Sequence, residues 1–362
     1  MSFLKSRYMK NVLVLGLGKV GTLVATLLSE DFAVTGLDKE NPHYLHEMGF
    51  PVLKADVSDK EEMVTIMKDF DIVVSALPYF LNKTIAKIAH DHSIHYFDLT
   101  EDVDTTRYIR ELSKTADCVM APQCGLAPGL IGIIGADLTK VFTKLRDIEL
   151  RVGALPRYPN GLLAYSFTWS PAGVINEYLN DAEAIHNGKR KLRTSLDGLE
   201  YINIEGQEFE AFTTSGGLGT MCETFEGKVD TLNYKTIRYP GHMKLMKFLL
   251  YELIMKDNKD QLETILKNAK PPVKEDVVYV YAIVEGWQKE RLFRNEFFKA
   301  FHPIEIQGRM WRAISWTTAA SIAAVVEMVA HGTLPNKGFI KQEEIVYDNF
   351  MATKNGQLFA QY

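Results

Sequence analysis

The chain has 362 residues, 46% of them apolar and 24% charged, with a formal net charge of −5. That length suits about two domains with sizeable cores, and the acidic balance argues against a nucleic-acid partner, which a basic excess would mark. No uncharged apolar run of about 18 residues occurs, so no membrane-spanning helix and no membrane partner are expected; the longest candidate, residues 319–330, is short and carries Glu327.

The opening "MSFLKSRYMK" lacks the apolar core and cleavage site of a signal peptide. Residues 9–15 (MKNVLVL) then read as a buried strand, and GKVGTLVATLLSE as a helix with Val20, Leu23, Val24, Leu27 and Leu28 on one side. Further strands are predicted at 31–38, 51–59, 71–78, 94–100 and 118–125. Helices fall between them, at KEEMVTIMKDF (capped by Ser58 or Asp59), NKTIAKIAHDH and GLIGIIGADLTKVF. Alternating strands and helices predict a parallel sheet covered on both faces. After about residue 145 the strands lengthen and alternate, in RDIELRVGALP, LLAYSFTWS, YINIEGQEFEAFTTS, VVYVYAIVEGW and KERLFRNEFFKAF. These predict a mixed, largely antiparallel sheet. Helices are expected at 171–186 and at 242–257, the latter with a stripe of Met243, Met246, Leu249, Leu250, Leu253 and Ile254. The charged run 188–198 reads as a solvated loop or hairpin. A helix near 311 is expected to return to the first domain. The α/β chain thus divides into a discontinuous domain, 9–130 with 311–345, and a second domain, 131–310. Cys118, Cys124 and Cys222 are odd in number and match no zinc spacing, so they read as reduced thiols of a cytoplasmic protein, with no metal.

GLGKVG places Gly16, Gly18 and Gly21 at G-x-G-x-x-G spacing around Lys19 and Val20. The first glycine permits a tight turn, the second lets the backbone approach a pyrophosphate, and the third allows close helix–strand packing, as in a Rossmann-type domain. The helix N-terminus presents free N–H groups and a positive dipole end. Asp38 ends the second strand, where a carboxylate accepts from a ribose diol and repels a 2′-phosphate. It favours NAD, while Lys39 beside it leaves NADP open. Other strand ends face the same crevice: Asp56 and Val57 at the adenine side, Ala76, Leu77 and Pro78 against the nicotinamide ribose, and Asp98. For each carboxylate a cap or turn role is the plain alternative.

Four later stretches are candidates for a substrate site. GLAPGL turns at Pro128 from strand to helix at the sheet's carboxyl edge. In AYSFTWSPAGVINEY, alternation puts Tyr165, Phe167 and Trp169 on one face, and Ser170-Pro171 is a helix start. The loop at Thr214, Ser215 and Gly216 could offer backbone N–H groups to a carboxylate. In YKTIRYPGH, a strand over 234–239 puts Tyr234, Thr236 and Arg238 on one face and Lys235, Ile237 and Tyr239 on the other. The Arg238 fork suits a carboxylate. His242 begins a helix, as a cap or as a group that titrates near neutral pH. Plain turn, loop and cap readings stand beside each of these.

The order of GLGKVG, ADVSD, SALP, GLAPG, FTWSPAGVI, TSGG and KTIRYPGH resembles the saccharopine dehydrogenase family, and within it the lysine 6-dehydrogenases, from about residue 9 to about 345. The resemblance implies homodimers and NAD- or NADP-dependent oxidation of an amino acid's C–N bond. For lysine, hydride leaves the ε-carbon and the imine is hydrolysed to the 6-semialdehyde and ammonia. The amine must first lose its proton, and His242, Lys235 and Asp98 are candidate bases. Arg238 and the TSGG loop would hold the α-carboxylate. A saccharopine-type or carboxynorspermidine-type enzyme acting on a secondary amine is the alternative. It would need further cations, for which Arg151, Arg157 and Arg312 are available. Ala172 stands where saccharopine enzymes often carry arginine. An inactive NAD-binding sensor is the reading of a different class.

Overall fold

The computed structural model describes residues 10–40 and 48–361. Residues 1–9, with Met9 of the first expected strand, lie outside that set. The first half of the chain builds β1 (Asn11–Leu15), α1 (Lys19–Leu28), β2 (Ala33–Asp38), β3 (Val52–Lys54), α2 (Lys60–Met67), β4 (Ile72–Ser75), α3 (Tyr79–Asp91), β5 (His95–Asp98), α4 (Val103–Ser113), β6 (Val119–Ala121) and α5 (Leu130–Thr139). The apolar runs of β1 and β4 are fully buried, because helices cover both faces of a parallel sheet. Asp59 rather than Ser58 caps α2, accepting from the N–H groups of Glu61 and Glu62 at 3.1 and 3.0 Å. The polar helix α4, capped by Asp102, is an addition to the expected elements.

The second half builds β7 (Lys144–Pro156), α6 (Pro171–Leu179), β8 (Ala182–His186), β9 (Lys189–Arg193), β10 (Glu200–Ile204), β11 (Gln207–Thr213), α7 (Met221–Phe225), β12 (Thr231–Arg238), α8 (His242–Lys247), α9 (Lys259–Ala269), β13 (Asp276–Gln288) and β14 (Arg291–Phe301). A short hairpin follows, β15 (Ile304–Ile306) and β16 (Arg309–Trp311). The second sheet runs β10-β11-β12-β7-β13-β14, with β8 joining β12 to β9. Only its β12–β7 pair is parallel among the described pairs. The chain then returns. Helix α10 (Ala313–Ala330) packs on α1, β17 (Gly338–Phe339) pairs with β6, and α11 (Tyr347–Met351) follows. The first sheet therefore has seven parallel strands, ordered β17-β6-β5-β4-β1-β2-β3. Helix α10 has the length and composition of a membrane span, yet 89% of it is buried inside the protein. Its Glu327 accepts from the backbone of Lys354 and Asn355. One apolar core continues from β1 through α5 and α10 into β7 and β13.

Expectations in the second half are corrected. The helix expected over 171–186 ends at Leu179, and Ala182–His186 is the strand β8. Residues 161–170 form no strand. Ala164 has φ 46°, and the Phe167 N–H bonds to the Lys270 carbonyl at 3.2 Å instead of to a ladder. Tyr165, Phe167 and Trp169 thus share no sheet face, and the first two are buried in the core of the second domain. Residues 242–257 are not one helix either. α8 stops at Lys247, a π-turn spans Phe248–Glu252, and Ile254 is left-handed at φ 56°. The wider turn rotates the stripe, so Met246 and Leu250 are buried while Leu253 and Ile254 are half exposed. The run 188–198 takes the hairpin form, with β9 wholly exposed.

Candidate functional site

The loop after β1 is built for close approach. Gly16 has φ +85°, and a Cβ on Gly21 would strike the Gly16 carbonyl oxygen. A Cβ on Gly18 would meet nothing within 4 Å, so that side of the loop is open. No side chain caps α1 at Gly18, which leaves first-turn N–H groups for an anion. Asp38 is fixed beside the loop, accepting from the N–H of Leu17 at 2.6 Å and of Glu40 at 3.0 Å. β1 lies between β2 and β4, where the chain order reverses, the usual place for a dinucleotide on such a sheet. These residues fit the pyrophosphate and ribose of a nicotinamide dinucleotide. Asp56 pairs with Lys39 at 3.1 Å. The Ser58 N–H, with Lys39, holds its carboxyl below the usual range. Asp56 and Val57 follow β3 and do not line the cleft described next.

A cleft of about 480 Å³ opens at the carboxyl ends of β1 and β4. Gly18, Lys19, Val20 and Gly21 form one wall, with Ala76, Leu77 and Pro78 beside them. Pro128, Trp169, Tyr234, Thr236 and Arg238 face it from the other side. The three β12 residues do share one face, as strand alternation requires. Thr168 adds a buried hydroxyl that has no hydrogen-bond partner among the described residues.

Arg238 is 3% exposed. Its Nε donates to the Tyr178 hydroxyl at 3.0 Å, and its Nη1 donates to the Thr236 hydroxyl at 2.6 Å and the Ile237 carbonyl at 2.8 Å. The guanidinium lies 4.7 Å from the Tyr165 ring centre. All these partners are neutral, and among the described residues no carboxylate pairs with it.

His242 stands behind Arg238 rather than in the cleft. Its Nδ1 is 3.0 Å from the Leu163 carbonyl and its Nε2 is 3.0 Å from the Tyr178 hydroxyl. The carbonyl can only accept, so Nδ1 carries the proton and Tyr178 donates to Nε2. The Tyr178 oxygen then accepts from Arg238. Burial and the Arg238 charge push the imidazole down to about 3, so it is neutral and orients Tyr178.

Other expected residues also lie away from the cleft. Lys235 points to the opposite face of β12 and pairs with Glu200 at 2.5 Å. Asp98 is buried, pushed up to about 6 by desolvation, and accepts from Tyr96, Thr100 and Gln123. It ties β5 to the next strand's end. Tyr165 reaches the site only through its ring against Arg238. The loop of Thr214, Ser215 and Gly216 is a support: Ser215 N–H donates to the Glu177 carbonyl at 3.0 Å, and a Cβ on Gly216 would fall 2.5 Å from the Glu101 carbonyl oxygen. The Lys235, Asp98 and His242 side chains therefore do not sit where a base would meet substrate, and the TSGG backbone does not face an anion.

The charged residues that line the cleft and escaped the sequence reading are Glu101 and Glu177. Desolvation, with the nearby Asp102 and Asp98, pushes Glu101 up to about 7. Desolvation and the Glu101 charge push Glu177 well above the carboxylate range, against the pull of Arg238. Neither carboxylate has an ion pair among the described residues, and Glu101 accepts only from its own backbone N–H. Two signals existed: Glu101 follows the carboxyl end of β5 by three positions, and Glu177 interrupts the buried stripe of Val174, Ile175 and Tyr178 in α6.

Comparison with known proteins agrees with this architecture. The family described as saccharopine dehydrogenase NADP binding domain matches residues 12–121, and the saccharopine dehydrogenase C-terminal domain matches residues 125–356. The saccharopine dehydrogenase [NADP(+), L-glutamate-forming] of Saccharomyces cerevisiae is 24% identical over 339 residues, covering 87% of this chain and 73% of that protein. Mitochondrial alpha-aminoadipic semialdehyde synthase of Rattus norvegicus is 25% identical over 298 residues, 74% of this chain. The chain spans only 31% of that enzyme's length, and 20% of the Arabidopsis thaliana counterpart's. The apo structure of the yeast saccharopine dehydrogenase superposes with a TM-score of 0.76 at 17% identity, covering 98% of each chain, which shows a shared fold. The chain belongs to the saccharopine dehydrogenase family.

Proposed function

We propose that this protein is an NAD-dependent dehydrogenase that oxidises the C–N bond of an amino acid, with L-lysine as substrate at its ε-carbon. The observation that carries the reading is the charge inventory of the cleft. Among the described residues it holds a buried cation with no carboxylate paired to it, Arg238, the exposed Lys19 at the cofactor loop, and two carboxylates with no ion pair, the half-buried Glu101 and the buried Glu177. Lysine brings the complement, one carboxylate and two amines. Saccharopine brings more carboxylates, and the spare arginines do not meet them: Arg151 is closed by Glu200, Arg157 lies 3.8 Å from Glu275 at the surface, and Arg312 is not in the cleft wall. Ala172 lines the cleft at the position where an arginine would have added a cation. When bound, the dinucleotide supplies the hydride acceptor. Asp38 favours NAD, because its carboxylate beside the ribose repels a 2′-phosphate.

The test is absorbance of the reduced nicotinamide with lysine or saccharopine and either dinucleotide. Ammonia release from lysine with NAD is the expected result. The activities for which the relatives are named favour a second reading, oxidation of saccharopine with NADP, and glutamate release would replace the first reading by that one. Dinucleotide binding with no absorbance change for any amine would support an inactive sensor.

A further inference from the structure

We propose that the two cleft carboxylates that have no ion pair among the described residues divide the substrate between them: Glu177 receives the α-ammonium beside the Arg238 clamp, and Glu101 takes the proton from the reacting ε-amine on the cofactor side. This deepens the lysine reading and rests on it. The placement comes from α6. Gly173 and Glu177 are four residues apart and share a face of that helix. The Glu101 carboxylate rests on Gly173, its Oε1 3.1 Å from where a Cβ would stand. The two acids are therefore stacked along one helix face, about one turn of 5.4 Å apart.

They differ in their neighbours. Glu177 belongs to the substrate domain, and the Arg238 charge acts on it directly. An α-carboxylate and an α-ammonium hang on one carbon, so the acid that receives the ammonium must adjoin the arginine. Glu101 follows β5 in the cofactor domain, and its charge reaches Tyr79, beside the Ala76–Pro78 wall. It therefore stands nearer the hydride acceptor. The TSGG loop packs against both backbones: Ser215 N–H bonds to the Glu177 carbonyl, and Gly216 lies close against the Glu101 carbonyl. Two adjacent carboxylates in an apolar cleft are unfavourable without a cation. Two amines relieve both.

The chemistry balances. The ε-ammonium gives its proton to the Glu101 carboxylate. The nitrogen lone pair then forms C=N as the C–H bond breaks and hydride leaves to the oxidised nicotinamide. Water adds to that carbon, the C–N bond breaks, and the semialdehyde and ammonium leave, the Glu101 proton passing to solvent.

The test pairs kinetics with binding on the full chain. Lysine and 6-aminohexanoate, which lacks the α-amine, are titrated by calorimetry into the enzyme saturated with reduced dinucleotide, in two buffers of different ionisation heat. Wild type should prefer lysine at least about tenfold and release protons on binding at pH 7. Glu177→Gln should lose that preference. Glu101→Gln should release fewer protons, bind lysine with little change, lose about 100-fold in kcat, and lack the acid limb of the kcat/KM profile near pH 7, where the free enzyme's Glu101 titrates. Both substitutions keep shape and put a neutral amide where desolvation already favours the neutral carboxyl, so folding is not threatened. A Glu177→Gln enzyme that still prefers lysine, or a Glu101→Gln enzyme with wild-type kcat and acid limb, overturns the division. A wild-type enzyme that oxidises another amine and not lysine overturns the reading beneath it instead, and the division with it.

Discussion

Two buried arginines stand on neighbouring parallel strands: Arg151 of β7 is 2% exposed and Arg238 of β12 is 3% exposed. Arg151 faces away from the cleft and meets charge from its own chain. Its Nε donates to Glu200 at 2.5 Å, its Nη1 donates to Asn233 at 2.7 Å, and Glu149 lies 3.6 Å from its Nη2. Lys235, its register partner, joins the same Glu200. Arg238 faces the cleft and is held by hydroxyls, a carbonyl and aromatic rings, none of them charged. A buried cation with its own counter-ion is a structural element. One positioned by neutral groups keeps its charge for a ligand.

The comparison can be broken by exchanging the two roles. Arg238→Ala should lower kcat/KM for the amino-acid substrate about 10³-fold, roughly the 2–5 kcal/mol of a truncated buried charge contact, mainly through KM. Dinucleotide affinity, read by fluorescence titration, should stay the same. Unchanged kinetics would remove Arg238 from the site. Arg151→Ala should show the opposite pattern, a loss of about 3 kcal/mol in urea unfolding with the substrate KM unaltered.

The pH dependence sharpens the contrast between the groups around Arg238. His242 binds a proton in the unfolded chain below its ordinary value but not in the folded protein until about pH 3. Stability therefore falls as pH drops through that window, by about 1.4 kcal/mol per pH unit for one proton. His242→Asn keeps a donor for Leu163 and cannot titrate. Its denaturation midpoints, measured from neutral to acid pH, should show that slope reduced by one proton.

Glu101 has the opposite sign. Its folded value of about 7 lies above the ordinary 4.5, so the native state binds the extra proton and stability falls as pH rises through this range. Glu101→Gln should raise the melting temperature by about 1–2 °C at pH 8, the shift expected for roughly 1 kcal/mol in a chain of this length, and by nothing at pH 4.5. An equal gain at both pH values would mean that desolvation of the ionised form is not the cause.

The cofactor half was legible because its signals are local. Gly16, Gly18, Gly21 and Asp38 act through backbone conformation and strand ends, which short-range spacing reports. Strand alternation likewise separated Arg238 from Lys235. The substrate half was less legible. Thr214, Ser215 and Gly216 looked like an anion loop because exposed N–H groups and N–H groups bonded to Glu177 read alike in sequence. His242 looked like a base because burial, which makes it neutral, is a property of the surroundings. Glu101 and Glu177 lie 76 positions apart in the chain, and no periodicity links them.

By itself the sequence determined the parallel nucleotide-binding sheet, the glycine cradle and the face on which Arg238 lies. Each follows from hydrogen bonding and side-chain alternation among residues close in the chain. The tertiary structure decided which charges are paired and which are open. Glu200 closes Arg151, α6 brings Glu177 beside Glu101, and His242 is sealed behind Tyr178. Those outcomes depend on desolvation and contact between distant segments, and a linear pattern carries neither.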